Sequence, residues 1–149
     1  MTKILIKRLS REVPLPKYET NGSSGMDLAA NINTDILIDP GKTAIIPTGL
    51  ALSIPKGFEI QIRPRSGLAA KKKITVLNTP GTIDADYRGE IQILATWIGE
   101  DDSFTVEAGE RIAQIVIAPI PSVEFIEVES AELGDTKRGT GGFGSTGRY

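Results

Sequence analysis

The stretch Asn78-Thr79-Pro80-Gly81-Thr82-Ile83-Asp84-Ala85-Asp86-Tyr87-Arg88-Gly89 gathers an amide, two carboxylates, a phenol and a guanidinium. Pro80-Gly81 and Arg88-Gly89 bracket it as a loop that leads into a strand at Glu90. The chain contains no histidine and no cysteine. A Ser-His-Asp triad, a histidine-bound zinc, a thiolate metal site and a disulfide are therefore excluded. Acid–base chemistry falls to carboxylates, lysine or tyrosine, and a carboxylate is the best base on offer for activating water. Asp84 and Asp86 both qualify, and their spacing does not separate them. A polar hairpin would explain the turn residues, but not the density of reactive groups.

Four other clusters could serve such a centre. In Ser23-Ser24-Gly25-Met26-Asp27-Leu28, Asp27 can bond its own backbone in a turn or stand near a metal-bound water. In Arg63-Pro64-Arg65-Ser66-Gly67-Leu68, Ser66 can cap a short helix. The free N–H groups of that helix start and the Arg65 guanidinium also suit an anion. Gln114 enters an apolar strand, where it must face solvent or find a partner. The fourth cluster is Arg138-Gly139-Thr140-Gly141-Gly142-Phe143-Gly144-Ser145-Thr146-Gly147. It can turn backbone N–H groups inward as an anion nest, with hydroxyls from Ser145 and Thr146, charge from Arg138 and a stacking face from Phe143. It lacks the lysine of the ordinary phosphate-binding loop and joins no strand to a helix, so it is not that loop.

The elements that must hold these residues are strands. Phe58-Glu59-Ile60-Gln61-Ile62-Arg63 alternates apolar and polar at every step, and Glu90–Trp97 places Ile91, Ile93, Ala95 and Trp97 on one side. Ile115–Ala118 is continuously apolar and predicts a strand buried on both faces. Further strands are expected at Lys3–Lys7, Asp35–Ile38, Thr43–Ile46, Leu50–Ile54, Phe104–Glu107 and Val123–Val128. Turns are expected at Asp39-Pro40-Gly41, Pro47-Thr48-Gly49 and Pro55-Lys56-Gly57. The one helix expected is Ser66–Lys73. Sixteen glycines and nine prolines favour such a chain of short strands. Residues 1–133 read as one all-β domain and 134–149 as a flexible arm, because that end holds six glycines and little that could join a core.

With 40% hydrophobic residues the chain can build a core. Its net charge of −2 argues against a general nucleic-acid binder. No stretch is apolar enough to span a membrane, and the N-terminus lacks the features of a signal peptide, so a cytoplasmic location is expected.

Taken in their order along the chain, the five clusters resemble the trimeric dUTPase family, from Ser24 to Gly147. The resemblance implies a distorted jelly-roll (β-clip) barrel with one short helix and a glycine-rich arm. It implies a homotrimer with shared active sites, dUTP as substrate and Mg²⁺ as cofactor. The activity implied is hydrolysis of dUTP to dUMP and pyrophosphate, which supplies dUMP for thymidylate and keeps uracil out of DNA. By position, Asp84 would deprotonate the attacking water and Asn78 would bond uracil, with backbone around Gly81, Thr82, Ile83 and Tyr87. The Tyr87 ring would pack under the deoxyribose. Ser66, Gly67 and Gln114 would meet the α and β phosphates, and Arg65 and Arg138 would offset their charge. Phe143 would stack on uracil, Gly144, Ser145 and Thr146 would close over the nucleotide, and Asp27 would act through a Mg²⁺-bound water. Two rival functions are weighed: a dCTP deaminase of related fold, against which the phosphate-gripping arm and the Asp84 motif speak, and a non-catalytic regulator that binds dUTP, against which the full set of catalytic residues speaks.

Overall fold

The computed structural model describes residues 2–100 and 103–142. In chain order the strands are β1 (Leu5–Arg8), β2 (Gly25–Ala29), β3 (Ile36–Ile38), β4 (Thr43–Ser53) and β5 (Phe58–Pro64), then helix α1 (Ser66–Lys72). There follow β6 (Ile74–Val76), β7 (Gly81–Ile83), β8 (Glu90–Trp97), β9 (Phe104–Val106) and β10 (Arg111–Pro119), with a 3₁₀ turn at Ser130–Leu133. Two four-stranded sheets, ordered β1-β4-β8-β6 and β2-β10-β5-β7, and the ribbon β3-β9 make a jelly-roll-like all-β fold. Every pairing is antiparallel.

Alternation explains the core. Ile60 and Ile62 of β5, Ile91, Ile93, Ala95 and Trp97 of β8, and Ile46, Leu50 and Leu52 of β4 all lie in one buried cluster. Of their polar neighbours Arg63 and Gln92 are exposed, whereas Thr96 is buried and its hydroxyl pairs with that of Thr43 at 2.7 Å. In β10, Ile112 and Ala113 are both buried although adjacent, because the pairing with β2 shifts between Arg111 and Ala113. Such a bulge turns two successive side chains to the same face.

Several expectations are corrected. Pro47-Thr48-Gly49 is not a turn between two strands but an irregularity inside β4: the β8 partners run from Pro47↔Gln92 to Ala51↔Glu90, which leaves two extra residues on β4. Thr48, fully buried, donates its hydroxyl to the Ile91 carbonyl at 2.7 Å, so the irregularity stays in the core. In Ile115–Ala118 only Ile115 is fully buried, with Val116, Ile117 and Ala118 half-buried, so the segment is not a strand buried on both faces. Helix α1 stops at Lys72, and Lys73 takes a left-handed conformation at φ 58°. Its N-cap is Arg65, with no side-chain capping bond, so Ser66 is the first helical residue rather than the cap. Asp27 lies within strand β2 instead of a turn. Val123–Val128 forms no strand, since a strand needs a partner edge and the described chain gives it none.

A pocket and a charged cluster that divide the candidate site

β7 and the loop after it build the most reactive corner. A cavity of about 280 Å³ is lined by Asn78, Thr82, Ile83, Asp84, Tyr87, Glu90, Gln92 and Leu94. The first five are residues singled out from sequence. Asp86 is not in the wall, so geometry separates the two carboxylates that spacing left equal. The loop is braced from within: the Tyr87 N–H donates to the Asp84 carbonyl at 3.2 Å, and Arg88 donates to the carbonyls of Ala85 and Tyr87 at 2.7 and 2.8 Å.

Glycines make room for these side chains. A Cβ on Gly81 would lie 2.9 Å from Asn78 Nδ2, so Asn78 can fold over this position only because it is glycine. A Cβ on Gly89 would come within 2.3 Å of the Tyr87 hydroxyl. The Tyr87 ring therefore leans on bare backbone, and its hydroxyl donates to the Glu90 carbonyl at 3.0 Å. Glu90, Gln92 and Leu94 were not foreseen as site residues. They sit on a strand whose alternation was legible, but nothing in sequence said that its outward face meets the loop.

The second group gathers on the other sheet. Gln114 on β10 is flanked in register by Asp27 on β2 and Arg63 on β5. It is not turned out to solvent: half-buried, it donates Nε2 to the Pro64 carbonyl at 2.9 Å. Gly25 opposite is required for this, as a Cβ there would fall 2.0 Å from Gln114 Oε1. Asp27 Oδ1 accepts from Arg65 Nε at 3.0 Å, and Oδ2 lies 3.2 Å from Arg111 Nη1. Arg65 also donates to the Arg111 carbonyl at 2.7 Å. Ser66 is exposed beside them, and Gly67 has open space where a side chain would stand.

Among the described residues, no three carboxylates gather to cage a metal ion. Both Asp27 oxygens already face guanidiniums, so this carboxylate is not free to ligate a cation directly and would reach a hydrated one only through its waters.

The pocket takes none of Asp27, Arg65, Ser66, Gln114 or Arg138 into its wall. Arg138 is exposed and donates Nε to the Gly141 carbonyl at 2.8 Å in a local turn. Phe143, Gly144, Ser145 and Thr146 lie outside the described residues.

The dUTPase family model matches residues 11–147. A deoxyuridine 5'-triphosphate nucleotidohydrolase of Fusobacterium nucleatum is 50% identical over 149 residues, covering 99% of this chain and 100% of its own. One from Chlamydia trachomatis is 56% identical over 133 residues, with 89% and 90% covered. Among solved structures, a dUTPase of Staphylococcus bacteriophage 80alpha with dUpNHpp superposes with a TM-score of 0.87 at 29% identity, covering 99% of both chains. With a family model over most of its length and relatives at half identity or more, this chain belongs to the dUTPase family.

Proposed function

We propose that the protein is a dUTP diphosphatase, which hydrolyses dUTP to dUMP and pyrophosphate by attack of water on the α-phosphorus. The observation that carries this reading is the meeting of Asn78, Asp84 and Tyr87 in one pocket. It offers an amide for a base edge, a carboxylate for water and an aromatic ring for a sugar. Asp84 is the base that takes the proton of the attacking water. Asn78 and the backbone at Gly81, Thr82, Ile83 and Tyr87 read uracil, and the tight hairpin leaves no space for a C5 methyl, which rejects dTTP by clash. Tyr87 packs under the deoxyribose and crowds out a 2′-hydroxyl.

The phosphates fall to the second group. Gln114 keeps an N–H beyond the one given to Pro64, and Ser66 and Gly67 are exposed at the start of α1 with a hydroxyl and an N–H to offer. Arg65 and Arg138 offset the triphosphate charge. Residues 134–149 form an arm whose Phe143, Gly144, Ser145 and Thr146 cover the nucleotide and exclude bulk water. The protein thus contributes mainly position and charge, as phosphoryl transfer demands. Mg²⁺ would be the cofactor, with Asp27 holding it through a water, and it would supply charge neutralisation for the leaving pyrophosphate.

The assembly is a homotrimer whose neighbours complete each site. Its support is the separation just described: one chain does not line a single pocket with both groups. The protein is cytoplasmic and binds neither nucleic acid nor membrane. No helix among the described residues is long and apolar enough to cross a bilayer.

The test is product analysis with Mg²⁺ and each common deoxynucleoside triphosphate. Pyrophosphate from dUTP alone is expected. Ammonia from dCTP would identify a deaminase instead, and tight dUTP binding without dUMP release would leave a non-catalytic binder.

A further inference from the structure

We propose that Glu90 is a positioning residue that sets sugar selectivity, because it anchors the backbone carbonyl on which the Tyr87 hydroxyl is hung. The inference rests on the reading of the Asn78–Tyr87 pocket as the nucleoside site.

The irregularity in β4 displaces the Gly49 N–H from the regular ladder, and a displaced N–H must find another acceptor. Here it donates to Glu90 Oε1 at 2.7 Å. A carboxylate is the stronger kind of acceptor for that role. The anchor it grips is rigid. Gly49 is held at φ +67°, and a Cβ there would lie 2.5 Å from Val13 Cγ2 and 2.7 Å from Asn31 Nδ2. Its carbonyl accepts from the Leu9 N–H at 2.8 Å. Thr48 beside it is tied to Ile91, the residue after Glu90. The Glu90 side chain thus fixes the first residue of β8 to the core of the sheet.

Glu90 then holds Tyr87 with its main chain. The Tyr87 hydroxyl bond to the Glu90 carbonyl, 3.0 Å long, is the one side-chain hydrogen bond Tyr87 makes among the described residues. Tyr87 as a residue is 44% exposed, so packing alone holds it weakly. A ring that must exclude one hydroxyl group needs its place fixed to well under an ångström, and small misplacements are costly. Glu90 supplies that fixation through Gly49 on the neighbouring strand β4.

The experiment compares Glu90→Ala, Glu90→Gln and Tyr87→Phe in the full-length protein with Mg²⁺, measuring kcat/KM for dUTP and for UTP. A second readout needs no nucleotide: the ring ¹³Cζ resonance of Tyr87 in tyrosine-labelled protein, assigned by its loss in Tyr87→Phe. Glu90→Ala is expected to lower the dUTP-to-UTP ratio about tenfold, the scale of one well-placed hydrogen bond, and to move the Tyr87 resonance. Glu90→Gln, which keeps an acceptor for Gly49, recovers most of that loss. A merely structural role would lower stability and leave the ratio alone. A folded Glu90→Ala with the wild-type ratio and an unmoved resonance overturns the proposal. Should Glu90→Ala not fold, Tyr87→Phe decides: it removes the same bond, and a wild-type ratio there overturns the proposal equally. A wild-type enzyme that cleaves UTP as fast as dUTP sinks the pocket reading itself, and the resonance then reports separately whether Glu90 holds the ring.

Discussion

Asp27 and Arg65 are joined by a 3.0 Å hydrogen bond between Oδ1 and Nε, with both side chains largely covered at 22% and 30% exposure. The bond links a residue proposed to touch a metal-bound water with one proposed to face phosphate. Arg111 approaches the other carboxylate oxygen, so Asp27 is aimed by two guanidiniums. Asp27→Asn keeps the shape and removes the charge that a hydrated cation needs. The Mg²⁺ concentration for half-maximal dUTP cleavage should rise about tenfold or more, the usual cost of losing a partner in the shell around a metal. A Mg²⁺ titration of initial rates measures this, and superimposable curves would remove Asp27 from the metal's surroundings.

Asp84 lines the pocket and Asp86 does not. Asp84→Asn should therefore lower kcat by roughly 10²–10⁴ while dUTP still binds, since a positioned base contributes on that scale. Asp86→Asn should stay within a few-fold of wild type. Single-turnover rates and equilibrium dUTP binding check both. Activity of Asp84→Asn within about tenfold of wild type would end its role as base.

The strands that hold these groups were readable wherever one face is buried and the other wet. Phe58–Arg63 and Glu90–Trp97 show why: their side-chain period is set by the pleat alone. The Pro47-Thr48-Gly49 step was misread because its local signals are those of a turn. What keeps β4 continuous there is distant in sequence, with Thr48 bonded to Ile91 and Gly49 to Glu90. The short β2, β6 and β7 were missed because they lie against turn or helix signals: β2 follows Ser23-Ser24, β7 begins at Gly81 after Pro80, and β6 follows directly on α1 although Ile74-Thr75-Val76 alternates. The site was legible by residue type: Asn78, Asp84 and Tyr87 stood out where chemistry-bearing groups crowd a loop. Glu90 did not, since its role depends on which strand lies beside it.

Lys73 closes α1 at φ 58° and ψ 29°, and its N–H donates to the Leu68 carbonyl. A side chain in this left-handed region carries a steric penalty that glycine avoids. Lys73→Gly should stabilise the protein by about 1 kcal/mol, after allowance for the greater freedom glycine gives the unfolded chain. Unfolding followed through the fluorescence of Trp97, the sole tryptophan and 4% exposed, gives the value directly. An unchanged or lower urea midpoint would show that the left-handed cap is relaxed in solution.

Phe125 is 95% exposed, with Val123 and Ile126 at 70% and 78%, in a segment that pairs with nothing in the described chain. Large apolar side chains clustered in the open mark a surface that another chain covers. The proposed homotrimer would supply that cover, since a closed ring of three could bury one such patch per subunit. Phe125→Asp would set a charge where an aromatic side chain should be buried, a change that costs several kcal/mol when the charge finds no partner. Light scattering at micromolar concentration should return the mass of three chains for the wild type and a smaller species for the variant. If each site draws on neighbouring chains, dUTP turnover should fall with the loss of assembly and recover at high protein concentration. A variant that keeps the trimer mass would place Phe125 outside the interface, and a monomeric wild type with full turnover would remove the shared site altogether.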